Sequence, residues 1–132
     1  MPSTLAALPK GYEFPPTTFT LSCEWVDAYI DAVGDTAIKS LNPDLVPPMA
    51  VAALGIRALI EASPLPPGTL HAGQELSFHR AINIGEELSV RAKVVSRGER
   101  AGWVLMSVDL EVSAGDGRVM SGRATITFPV ES

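Results

Sequence analysis

The hydrophobic pattern changes period near residue 68. Before it, apolar residues recur at helical spacing. From Cys23 to about Val33, the side chains of Trp25, Val26, Tyr29, Ile30 and Val33 fall on one side of a helix. Ser22 is placed to cap its start, Glu24 puts a negative charge in the first turn, and Gly34 suits its end. A second helix is predicted from Pro48 to Ala62 (PMAVAALGIRALIEA), because proline at a first helical position lacks only an N–H that would be unpaired there anyway. This segment is apolar almost all round, with Arg57 its single charge before Glu61. A helix with no polar face belongs in the middle of a fold. Ala50, Ala52, Ala53 and Gly55 would let it lie close against a sheet.

After the breaker Ser63–Gly68 (SPLPPG) the period becomes two. A strand begins irregularly around Gln74–His79. Leu88, Val90, Ala92 and Val94 then alternate with Ser89, Arg91 and Lys93. Val104, Met106, Val108, Leu110 and Val112 form a second series, and Ala124, Ile126, Phe128 and Val130 a third. Such alternation gives an antiparallel sheet with one covered face. Ile84-Gly85-Glu86, Arg97–Gly102 and Gly115-Asp116-Gly117 read as hairpin turns. Thr17–Leu21 is a further short β-prone stretch, and residues 1–16, punctuated by Pro and Gly, are expected to lie irregularly over the surface. The fold class expected is α+β, an antiparallel sheet wrapped around a long buried helix, as a single domain over residues 1–132.

Composition narrows the function classes. Apolar residues make up 46% of the 132 and charged residues 19%, a globular balance. The net charge is −5 and the ten basic residues form no run, so nucleic acid is not an expected partner. No apolar stretch approaches the length of a membrane span, and Met1–Lys10 does not read as a secretory signal. With one cysteine, Cys23, no internal disulfide is possible, and a cytoplasmic location is expected.

Three stretches resemble the MaoC-like dehydratases of the hotdog superfamily, in particular the branch with the FAS1-like dehydratases. They are YIDAVGD (29–35), VPPMA (46–50) and LHAGQELSFHR (70–80) running into Ile84-Gly85-Glu86. The resemblance implies a hotdog fold and a coenzyme A or acyl-carrier thioester as substrate, with no cofactor. It also implies edge-to-edge assembly, as a homodimer or as a heterodimer with a catalytic MaoC-like subunit. In active members a carboxylate and a histidine share one water during addition to a trans-2-enoyl thioester. Backbone N–H groups, typically at a helix N-terminus, hold the thioester oxygen. The family motif reads Gly-Asp-x-Asn-Pro-x-His. Gly34 and Asp35 match its start, but Ala37, Ile38 and Ser40 replace Asn, Pro and His, and the later Asn42-Pro43 pair has no histidine after it. The chain therefore resembles the family's substrate-shaping subunits, an (R)-specific hydratase or 3-hydroxyacyl dehydratase partner without the full pair.

The candidate residues each carry two readings. Asp35 is either the general acid/base or a turn-closing residue bonded to nearby backbone. His71 is the substitute partner for Asp35 in a self-sufficient enzyme, or a surface histidine; strict alternation would put it on the same face as His79. Pro48, Met49, Gln74, His79 and Arg80 are the expected substrate contacts. Arg80 with Arg91, Lys93 and Arg97 would form a basic rim, the alternative being solvated strand faces. Trp25, Tyr29, Met49, Leu54, Trp103, Met106 and Phe128 are expected core residues, contiguous in this fold with an acyl channel. No spacing matches a zinc site, so no metal is expected. A thioesterase would need a carboxylate well placed on the buried helix, and Glu61 stands at its far end. A non-enzymatic module that binds an acyl-coenzyme A or lipid-like ligand is the third alternative.

Overall fold

The computed structural model describes residues 5–34 and 44–130. A 3₁₀ turn, Leu5–Ala7, precedes β1 (Thr17–Thr20), α1 (Cys23–Val33), α2 (Pro48–Ala62), β2 (Leu70–Phe78), β3 (Glu87–Arg100), β4 (Trp103–Ala114) and β5 (Gly117–Pro129). The strands form one antiparallel sheet in the order β1-β3-β4-β5-β2. Local chemistry sets both helices as expected. The Trp25 N–H donates to Ser22 Oγ at 3.1 Å, and Gly34 ends α1 in the left-handed region at φ 75°, its N–H on Ile30 O.

The alternating positions of β3 and β4 line the inner face. Leu88, Val94, Met106 and Val112 are fully buried there, each worth about 1.5–3 kcal/mol when removed from water. α2 lies on this face at Gly55, where an added Cβ would stand 3.0 Å from Leu110 Cδ2 and 3.7 Å from Val112 Cγ2. The small residues thus do what their size suggests. The helix is not covered all round, however. Ala50, Val51 and Ala52 are buried, while Met49, Ala53, Arg57, Ile60 and Glu61 form an exposed stripe, because a sheet can cover one side of a helix only.

Four further expectations are corrected. The lead-in, described from Leu5 onward, is exposed over much of its length but does not merely lie over the surface. Leu5, Leu8 and Phe14 belong to the core, and Gly11, Tyr12 and Phe14 exchange backbone hydrogen bonds with Ala92 and Val94, extending the sheet edge beyond β1. The turn at Ile84-Gly85-Glu86 joins no hairpin, since β2 and β3 lie apart in the sheet and the chain crosses between them. The 97–102 turn is shorter than expected: β3 runs to Arg100, and Ala101-Gly102, with φ 54° and 84°, closes a two-residue hairpin of the kind that needs two left-handed residues. Of the expected core aromatics, Phe128 is buried, whereas Trp103 is 43% exposed at the start of β4.

β2 rests on β5 through Gly122. An added Cβ there would stand 2.8 Å from the backbone oxygen of Glu75, and a backbone atom cannot yield as a side-chain end can. Gly122→Ala is expected to lose roughly 1–3 kcal/mol, the range of overpacking. Gly98→Ala, with no atom within 4 Å of the new methyl, should stay within about 0.5 kcal/mol of the parent. Urea midpoints of the two variants, measured side by side, check this.

Candidate functional site

The chain enters α2 along the segment after β2. Val46 N–H donates to Ile82 O and Ile84 N–H to Asp44 O, both at 2.8 Å, and Leu45 bridges Asn83. Pro47 and Pro48 then start the helix with no capping side chain and no acid in the first turn. The positive end of the helix dipole is therefore not neutralised by its own first turn. Pro48 borders a small crevice with Val51, Phe78 and Arg80. Met49 stands beside it, 54% exposed. Asp35 lies outside the described residues, as do Ala37, Ile38, Ser40, Asn42 and Pro43.

Arg80 is a clamp within the protein. Its Nη1 donates to Ala81 O (2.8 Å) and Glu86 Oε2 (3.1 Å), and its Nη2 to Glu86 Oε1 (2.7 Å) and Asp116 Oδ1 (2.8 Å). These four bonds use all four Nη hydrogens. They tie the end of β2 to the 83–86 turn and to the β4–β5 hairpin. The Glu86 hydrogen bonds, and then that of Asp116, raise the guanidinium pKa above its ordinary value. In return the Arg80 hydrogen bond, followed by the Asn83 N–H, holds the Glu86 carboxyl below its ordinary 4.5. The expected basic rim does not assemble. Arg91 and Lys93 lie on the outer sheet face. A β-bulge between Val94 and Ser96 turns Arg97 inward opposite Met106, where its Nη1 is buried without a hydrogen-bond partner.

Between the C-terminal half of α2 and the β2–β5 side of the sheet is a pocket of about 160 Å³. Its walls are almost wholly apolar, including Leu5, Ile56, Leu59, Ile60, Leu65 and Ile126, and His71 stands at its edge. The irregular start of β2 explains how His71 comes to be there. His71 pairs with Ile126 and Gly73 with Thr125, so Ala72 is bulged and the facing of the strand reverses. Beyond the bulge Leu76 and Phe78 share the inner face with Gly122 and Met120, while His79 is on the outer face, its Nε2 3.1 Å from Ser121 Oγ. The two histidines are thus on opposite faces, not the same one. Gln74 folds back on the sheet. Its Nε2 donates to Glu75 O and Arg123 O at 3.2 Å, and its buried Oε1 has no hydrogen-bond partner.

A larger concavity, about 610 Å³, opens on the outer face. Its acids Glu13, Glu75, Asp109 and Glu111 are matched by four bases, Arg91, Lys93, Arg118 and Arg123. Arg123 binds Asp109 at 2.7 Å, and Arg118 reaches Glu111 at 4.0 Å. It is a shallow, charge-balanced sheet surface, and the apolar pocket is the better ligand site despite its smaller size. Among the described residues no three His, Cys, Asp or Glu side chains gather as a metal site would need, and no helix is long and apolar enough to cross a membrane.

Residues 9–121 match the family described as FAS1-like, dehydratase domain region. The chain belongs to that family. Its fold is that of the MaoC-like hotdog dehydratases, as solved structures agree. The R-hydratase PhaJ1 from Pseudomonas aeruginosa is 25% identical, with a TM-score of 0.71 over 96% of this chain and 85% of that one. The MaoC-like dehydratase from Rhodospirillum rubrum is 18% identical, with a TM-score of 0.73 over 98% of each chain. The HadBC (3R-hydroxyacyl-ACP dehydratase) complex from Mycobacterium tuberculosis gives 21% identity and a TM-score of 0.71 over 93% of this chain and 99% of that one. No curated protein matches the sequence. Within this FAS1-like dehydratase domain, sequence reasoning missed Leu5, Ile56, Leu59, Ile60 and Leu65 as pocket walls. The apolar C-terminal half of α2 was the available signal, but nothing local to Leu5 announces its contact with residues some sixty positions later.

The Arg80 clamp makes stability depend on pH. Because the folded pKa of Glu86 is depressed, its contribution is present above 4.5 and is lost as pH falls through the lower folded value. The parent should melt above Glu86→Gln at pH 6 to 7, and the gap should shrink steadily on acidification below 4.5. Thermal melts of both proteins across pH 3 to 7 test this.

Proposed function

We propose that the chain is an acyl-thioester-binding MaoC-like hotdog subunit of an (R)-specific enoyl-thioester hydratase or 3-hydroxyacyl-thioester dehydratase, and that it shapes the substrate tunnel. The carrying observation is the apolar pocket beneath α2 in a chain of the FAS1-like dehydratase family. An alkyl tail in the pocket lies between the C-terminal half of α2 and the β2–β5 side of the sheet, with its thioester head at the pocket mouth. With Ser40 in place of the motif histidine, the water-activating pair is incomplete.

The same reading supplies a partner. The exposed stripe of α2 carries Met49 and Ile60, and edge strand β2 presents Leu70 and Phe78, 58% and 42% exposed. A second hotdog joined along β2 covers both and pairs the open backbone of that edge. The heteromeric HadBC complex is the precedent among similar structures. The partner proposed is a catalytic subunit with an intact Asp–His motif, and the ligand carrier is coenzyme A or acyl-carrier protein.

A self-sufficient enzyme is the second reading, because Gly34-Asp35 survives from the motif. The purified chain alone is expected to give no loss of enoyl absorbance with trans-2-enoyl-coenzyme A of four to eight carbons, and turnover when an Asp–His hotdog partner is added. Turnover by the chain alone that falls about 10²–10⁴-fold in Asp35→Asn would replace this reading with the second.

A further inference from the structure

We infer that Leu5, delivered by the N-terminal segment, is the floor of the acyl pocket and limits the bound tail to about six carbons; this rests on the acyl-thioester reading above. Leu5 is 2% exposed and lines the pocket together with residues of α2, the 63–69 segment, β2, β4 and β5. It comes from outside the helix–sheet pair. The 3₁₀ turn Leu5–Ala7 is held by Leu5 N–H on Pro64 O at 3.0 Å and by Leu8 N–H on Leu5 O at 3.2 Å, with Leu8 itself buried. The Leu5 backbone is thus held by its own 3₁₀ turn and by the 63–69 segment, apart from the contact of α2 with the sheet at Gly55. Its size can change the pocket depth while leaving Gly55 on Leu110 undisturbed.

Volume sets the tail length. An apolar cavity near 150 Å³ accommodates benzene, six carbon atoms, and this pocket measures about 160 Å³. Each methylene that fits adds about fourfold to affinity, and a methylene that meets the floor adds nothing or costs binding. Leu5→Ala removes three carbons from the floor and makes room for a tail roughly two carbons longer.

The test is calorimetric binding of saturated acyl-coenzyme A with four, six, eight and ten carbons to the full-length chain. These thioesters lack the double bond, so binding is read without turnover. The parent is expected to gain affinity up to six carbons and none at eight. Leu5→Ala should gain through eight carbons while binding the four-carbon thioester as the parent does, since that tail stops short of residue 5. Leu5→Val, a one-carbon truncation that folds if Leu5→Ala does not, should narrow the gap between six and eight carbons in the same direction. Affinity that keeps rising to ten carbons in the parent, or a limit unchanged in both variants, overturns the role of Leu5 and leaves the thioester reading standing. Absence of binding at every length overturns both.

Discussion

A sheet covers one side of a helix, and α2 is apolar on more than one. The rest of the molecule follows from that mismatch. On the covered side, Gly55 and the small residues around it bring α2 down onto Leu110 and Val112 and close the core. At the C-terminal half of the helix, Ile56, Leu59 and Ile60 border an apolar pocket toward β2 and β5. On the uncovered side Met49 and Ile60 remain exposed, which is costly for a lone chain and favourable for an assembly. The same helix thus accounts for the core, the pocket and the surface proposed to meet a partner.

Much of this was legible because it is written locally. Period-two alternation in β3 and β4 named the inner face residue by residue, and Ser22, Gly34 and Pro48 marked helix ends through capping chemistry that acts within four residues. What alternation cannot show is where it breaks. The bulge at Ala72 adds one residue to β2 and reverses its facing, so two histidines eight positions apart point to opposite sides. The bulge at Val95 likewise turns Arg97 inward and dissolves an expected basic rim. Neither residue type signals a bulge; the register is set by neighbouring strands.

Long-range placement was equally hidden. Ile84-Gly85-Glu86 has the residues of a hairpin turn, yet it ends a crossover, because turn chemistry fixes a bend and says nothing of which strands pair. The Pro- and Gly-rich start reads as loop, and its backbone is indeed irregular, but Leu5, Leu8 and Phe14 pack into the core. Arg80 shows the converse. It was expected as a substrate contact and part of a basic rim, whereas the fold brings Glu86 and Asp116 to it and makes it a fastening between three segments.

The central claim is that the space beneath the C-terminal half of α2 holds an acyl tail. The most direct measurement is a crystal structure of the protein with hexanoyl-coenzyme A. The alkyl chain is expected between Ile56, Ile60 and Ile126, its end against Leu5 and its thioester at the pocket mouth. A tail bound elsewhere, on the charged outer face or along the exposed stripe of α2 with the pocket left empty, would contradict it.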